Sequence, residues 1–137
     1  LCGNPYDTGV AVAHLIFGGV MDRFPKLGFN LPHAGGTFPW LVGRWEHGRT
    51  VRPELKHMKN PVGSYLKRFT YDTIGHDDRI NSALVKLVGA DCVTLGSDYC
   101  FDMGLDDPLA TLNRIAGLSD KDKQAIAGGN AQKLLNL

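Results

Sequence analysis

The sequence lacks a charge imbalance: 15 Lys+Arg stand against 14 Asp+Glu, a formal net charge of +1. That excludes the basic footprint of a nucleic-acid binder and any acidic tail. It also lacks a membrane-length apolar run, since Val10 to Val20 is interrupted by His14 and falls short of the about 18–20 residues a span needs. Cysteine is scarce and odd in number. Cys2, Cys92 and Cys100 show neither Cys-x-x-Cys nor finger spacing, so no disulfide framework is expected and a reducing, cytoplasmic compartment is. Gly-x-Gly-x-x-Gly and P-loop patterns are missing, as is the Gly-x-Ser-x-Gly of a serine hydrolase. No basic segment precedes an apolar one at the start, so no secretory signal is expected. The loop-like opening Leu1-Cys-Gly-Asn-Pro-Tyr instead points to a missing upstream part.

What remains is a chain able to bury a core, at 43% hydrophobic and 21% charged residues, so disorder is excluded. Its 137 residues suit one domain and include 17 glycines, well above the usual ~7% and without a period, which predicts many tight turns. Asp7-Thr8 is expected to cap a helix through Val10–Met21, packed on more than one side, with His14 as a hydrogen-bonded packing residue. Leu27–Pro32 reads as a buried strand ending at His33. Phe38–Trp45 is a helix with Pro39 in its first turn, followed by a solvated connection over residues 47–60 and a short helix from Pro61 to Arg68. Phe69–Thr73 is a second strand.

The periodicity of Ile80, Ala83, Leu84, Leu87 and Val88 predicts a helix over Asp77–Val88, stopped by Gly89. Cys92–Gly96 is a third strand, delivering Ser97 and Asp98. Asp107-Pro108 opens a helix through Ile115, and Ser119 starts one that stops at Gly128-Gly129, with Asn130 capping a last turn. Apolar strands separated by helices imply an α/β fold with a parallel sheet and right-handed crossovers. Strand C-termini then share one face, so His33 and Asp98 are expected to be neighbours there.

Each candidate has a bland counterpart. Asp98 can ligate a divalent ion or act as an acid/base, or it can simply form a turn. His33, before the Ala34-Gly35-Gly36 turn, can poise a water, ligate metal, or be a satisfied core histidine. Arg44 can hold a carboxylate bidentately or lie on the surface. His47, His57 and His76 read as solvated, and no His-x-His or His-Glu-x-x-His spacing recruits them. Phe38, Trp40 and Trp45 read as core or interface residues, and Cys100 as a passive neighbour of Asp98.

Taken with their flanks, these positions form an ordered series. It runs Phe17-Gly-Gly-Val-Met-Asp-Arg-Phe-Pro-Lys-Leu, His33-Ala-Gly-Gly with Gly43-Arg44, Tyr71-Asp-Thr, Val88-Gly-Ala-Asp-Cys-Val-Thr-Leu-Gly-Ser-Asp-Tyr, and Gly129-Asn-Ala-Gln-Lys-Leu-Leu. The series resembles the amidohydrolase-related family that includes aminocarboxymuconate-semialdehyde decarboxylase and the resorcylate-type decarboxylases. The resemblance covers nearly all of the chain, from about Asn4 onward, and makes residues 1–137 the C-terminal portion of one barrel domain, the N-terminal half being absent.

The resemblance implies an α/β fold that is the C-terminal part of a TIM-type (β/α)8 barrel of the metal-dependent hydrolase superfamily. It implies one divalent metal ion, zinc ahead of manganese, with Asp98 as ligand and the other family ligands missing from this chain. His33 is implied to activate water or move a proton, and Arg44 to bind the substrate carboxylate, often across a dimer interface. Two departures stand out: Ala34 where the family has glycine, and Cys100 where it has proline.

The function so implied is decarboxylation of a small unsaturated or aromatic acid by a metal-dependent carbon–carbon lyase. Hydrolysis of an ester, lactone or amide on the same barrel is the alternative. A non-catalytic half-barrel, or an associating partner of another chain, is the expectation for the isolated chain. Its partners are a small carboxylic acid and a second copy, with no nucleic acid and no membrane.

Overall fold

A computed structural model describes residues 1–137. Helix α1 spans Gly3–Phe17, beginning earlier than the Asp7-Thr8 cap predicts. Pro5 explains the difference, because a first-turn proline lacks only an N–H that has no intrahelical acceptor anyway. Thr8 therefore lies inside the helix. Gly18 and Gly19 end α1, the latter with φ 70°, and the short helix α2 follows at Val20–Arg23. Val12 and Ile16 are the apolar side chains that α1 buries, while His14 is exposed rather than packed.

Strand β1 (Asn30–Leu31) pairs in parallel with β2 (Thr70–Tyr71), Asn30 opposite Thr70 and Leu31 opposite Tyr71. Tyr71 bridges in parallel to Val93 on its other side. The first two expected strands are present in shortened form, and the third is reduced to that single bridge, Cys92 lying in a 3-10 turn instead. The pairing is parallel as expected, but the ladder is short. Pro32 has no N–H to extend β1, which ends it after Leu31.

Helix α3 (Phe38–Val51) runs past Trp45 into the segment expected to be a solvated connection. Glu46 accounts for the extension: it pairs with Arg49 and accepts the Val62 amide at 2.6 Å, tying the following loop to the helix. Arg52, held extended before Pro53, ends α3. Phe38 stacks on Trp45 at 5.3 Å and meets Phe69 edge-on at 5.6 Å, forming the aromatic part of the core. His57 is exposed but anchored, with its two ring nitrogens on the Glu54 and Phe17 carbonyls at 2.9 and 2.8 Å.

Helix α4 (Asp78–Val88) is capped by Asp77, which accepts the Arg79 amide at 2.8 Å. Its buried face is Asn81, Leu84 and Val88, while Ile80 and Leu87 are exposed. That is a rotation from the expected stripe. Asn81 turns inward because its amide donates to the Thr73 carbonyl at 3.1 Å, anchoring the loop after β2.

Helix α5 (Pro108–Arg114) is capped by Asp107, and α6 (Asp120–Gln124) by the Ser119–Asp122 capping box. The chain does not stop at Gly128-Gly129. A π-helical turn over Ala125–Gly129 leads directly into α7 (Asn130–Leu135). The Ile126 carbonyl at this turn accepts the Leu95 amide at 2.9 Å, covering the outer edge of the third strand. Asn130, expected as a cap, is a buried clamp: its amide nitrogen donates to the Ala90 and Val93 carbonyls at 2.8 and 2.7 Å.

Replacing Asn130 with Ala strands both acceptors and is expected to cost about 2 kcal/mol. The loss is read as a lower urea midpoint at unchanged slope. Elsewhere, Cys2 and Cys100 are exposed, Cys92 is buried and all are free. No helix is long and apolar enough to cross a membrane.

Candidate functional site

The strand order Leu31, Tyr71, Val93 places three loops side by side at one end of the sheet. They begin at His33, Asp72 and Leu95. A cavity of about 610 Å3 opens over this end, lined by His33, Ala34, His76 and Asp98 among others. The two sequence candidates thus share one cavity, with the end of β2 between them. Trp40, Ile80, Phe101 and Met103 supply its apolar walls. Asp98 and Asp102 make its side-chain lining acidic, and no Lys or Arg belongs to it.

Backbone strain concentrates here. His33, Ala34, His76 and Asp98 have φ of 58°, 52°, 53° and 57°, in the left-handed region that costs ordinary residues about 1–2 kcal/mol each. His76, expected to be merely solvated, is exposed yet forms part of the wall. Gly35 and Gly36 continue the turn after His33 at φ 83° and 59°. A Cβ on Gly35 would strike the Tyr71 ring, and one on Gly36 the Pro5 carbonyl, so the turn is pressed between β2 and α1.

What holds the turn is Asp72, a residue given no separate role in the sequence reading. Its carboxylate is buried and accepts three backbone amides, from His33 at 3.1 Å, Ala34 at 2.7 Å and Ile74 at 3.0 Å. Burial raises its pKa above the usual carboxylate value, outweighing the three amides and His33, which pull it down. The Tyr-Asp-Thr triplet was visible as a pattern, but the amides that define its role come mostly from a distant segment.

On its side chain, His33 is half-buried and makes one hydrogen bond within the chain, between Nδ1 and the Thr8 hydroxyl at 3.0 Å. Asp98 is half-buried and stays outside the chain's ion pairs, which join Glu46 to Arg49, Asp77 to Arg79 and Asp78 to Arg114. Arg44 lies on the exposed face of α3 and is not among the residues around the cavity. Cys100, although close in sequence to Asp98, is exposed and also lies outside the lining.

As a metal centre these residues do not suffice. No three His, Cys, Asp or Glu side chains converge on a common point, whereas a stable site needs about four donors. Residues 1–137 offer Asp98 as one uncommitted anionic donor and do not close a coordination sphere among themselves.

A family model described as amidohydrolase matches residues 2–137. The chain is 40% identical over 139 residues to 2-amino-3-carboxymuconate-6-semialdehyde decarboxylase of Dictyostelium discoideum, covering 100% of this chain and 39% of that protein. It is 31% identical over 142 residues to the protein of the same name from Caenorhabditis elegans, covering 100% and 35%. The chain therefore spans about two fifths of the length of these curated relatives.

Among solved structures, a dihydroxybenzoic acid decarboxylase from Polaromonas sp. JS666, with bound manganese and an inhibitor, superposes with a TM-score of 0.83. It is 24% identical, over 97% of this chain and 41% of that one. The parallel strands and their covering helices are part of a TIM-type (β/α)8 barrel, as the resemblance implied.

Proposed function

Because the chain belongs to the amidohydrolase family, we propose that residues 1–137 act as the C-terminal portion of a longer barrel enzyme that decarboxylates a small unsaturated or aromatic carboxylic acid. The observation that carries this reading is the shared cavity of His33 and Asp98 at the strand ends. The names of the relatives at 40% and 31% identity support decarboxylation over hydrolysis. Apolar walls from Trp40, Phe101 and Met103 suit a flat, largely apolar substrate body.

The carbon–carbon bond to the carboxylate breaks, carbon dioxide leaves, and the electron pair stays on the substrate carbon. His33 delivers the proton that this carbon takes up. The acidic lining disfavours a bare carboxylate, so the substrate needs positive charge from elsewhere. A divalent ion, zinc or manganese, would use Asp98 as one donor and draw the rest from outside this chain. Arg44, exposed and without an ion pair, suits a substrate carboxylate held against a second copy in a dimer. The three free thiols fit a reducing, cytoplasmic setting.

The test is a product assay on the full-length protein, with a panel of unsaturated and aromatic acids beside esters and lactones. Carbon dioxide release from an acid is the expected result. Hydrolysis of a lactone, ester or amide without any carbon dioxide would replace the proposal with the hydrolytic alternative.

A further inference from the structure

Thr8 lies in the second turn of α1, where its hydroxyl donates back to the Asn4 carbonyl at 3.1 Å. The same oxygen is 3.0 Å from His33 Nδ1. A hydroxyl has one proton. If that proton went to Nδ1, a lone pair of Oγ1 would face the Asn4 carbonyl oxygen with no hydrogen between them. Both contacts are satisfied together only when Thr8 donates to Asn4 and His33 donates from Nδ1.

The contact is built into the packing. Gly36 has no Cβ where one would strike the Pro5 carbonyl and the Thr8 side chain, and Gly9 has none where one would strike the Thr37 hydroxyl. The Thr37 amide also donates to the Pro5 carbonyl at 3.2 Å, bonding the start of α1 to the turn. Asp72 fixes the same turn through the His33 and Ala34 amides. The ring is thus held from α1 and the backbone from the residue that follows β2.

We infer that Thr8 is a positioning residue that sets the tautomer of His33: Nδ1 carries the hydrogen, and Nε2 is left as the lone-pair acceptor on an imidazole lining the cavity. A neutral imidazole in water prefers the opposite form, with the hydrogen on Nε2. The relay from Nδ1 through the Thr8 hydroxyl to the Asn4 carbonyl reverses that preference. Nε2 then takes a proton from solvent or substrate and returns it to the carbon that has lost carbon dioxide. This use of Nε2 rests on the proposed role of His33, whereas the tautomer itself does not.

The experiment is 15N-histidine NMR on the full-length, zinc-loaded protein at mildly alkaline pH, with the His33 signals identified by their loss in His33→Gln. A protonated-type shift at Nδ1 and an unprotonated-type shift at Nε2 are expected in the wild type. In Thr8→Val, nearly the same in volume, the pattern is expected to move toward Nε2–H, with turnover down roughly tenfold and KM little changed. Thr8→Ser, which keeps the hydroxyl, is expected to restore both the spectrum and the rate.

An Nε2–H pattern in the wild type, or an unchanged pattern in folded Thr8→Val, would overturn the inference whatever the activity. Full turnover in His33→Gln would instead overturn the role given to His33, and the use of Nε2 with it, and the spectrum would show which of the two had failed.

Discussion

Asp98→Ala in the full-length protein is expected to lose bound divalent ion and to drop turnover to background. The carboxylate is half-buried on the cavity wall and committed to no ion pair. A side chain in that state serves a ligand or nothing. Backbone strain complicates the alanine variant, since Asp98 has φ 57° and an alanine there costs about 1–2 kcal/mol. Asparagine tolerates that region as aspartate does.

Asp98→Asn therefore separates the two effects: it keeps the turn, removes the charge, and is expected to hold the ion more weakly. Metal analysis and turnover of both variants are the measurements. Wild-type metal content and rate in Asp98→Ala would remove Asp98 from the site. The 137-residue chain by itself is expected to hold less than one ion per molecule, because its donors do not converge.

The second large effect concerns Asp72. Asp72→Ala leaves the His33, Ala34 and Ile74 amides without their acceptor. Water can reach some of them, so the expected loss is roughly 3 kcal/mol, less than the sum of separate penalties. Catalysis suffers too, since a released turn no longer holds His33 over the cavity.

Asp72→Asn is the informative partner. Its oxygen can still serve the Ala34 and Ile74 amides, but its nitrogen opposes the His33 N–H. The pH dependence has a definite sign. The folded pKa lies above the about 3.9 of an unfolded aspartate, so over that interval the folded chain binds more protons than the unfolded one. Stability from this group is complete below the unfolded value and is lost as pH rises through the folded value. Subtracting the stability–pH curve of Asp72→Asn from that of wild type is expected to leave a component that falls with rising pH across this interval. A difference curve that rises there would refute the assignment.

Local signals in the sequence were strong where capping chemistry is local. Asp77, Asp107 and Ser119 mark helix starts that the structure keeps, because each bonds to amides within its own next turn. Two strand segments were legible as mostly apolar runs and one by its alternation, and their pairings are parallel as expected, though the last is a single bridge at Val93. Tertiary demands that no local pattern encodes decided the rest. Asn81 is turned inward by the Thr73 carbonyl, and that displaces Ile80 and Leu87 from the face that hydrophobic spacing assigns them.

Two glycines failed to stop the last helix, because the π turn carries the chain through them. At the site, His33 and Asp98 were readable as polar residues after apolar strands. Asp72 and Thr8 were not, because each acts on residues of another segment. Arg44 was readable as a candidate through its place after His33, and it lies on an exposed helix face apart from the cavity.

The π turn and Asn130 also bear on the order in which the molecule can be completed. A ribosome delivers the chain from its first residue onward, at about 5–20 residues per second. The segment leading to Asp98 has one edge on β2, while its Leu95 amide is bonded to Ile126 and Asn130 holds its start. Until those residues have left the exit tunnel, the segment carrying Asp98 lacks these contacts. The carboxylate thus reaches its final position only after Ile126 and Asn130 have been made and released. Premature termination between Met103 and Ile126 would yield a product that contains every residue named around the cavity and lacks the means to hold them in place.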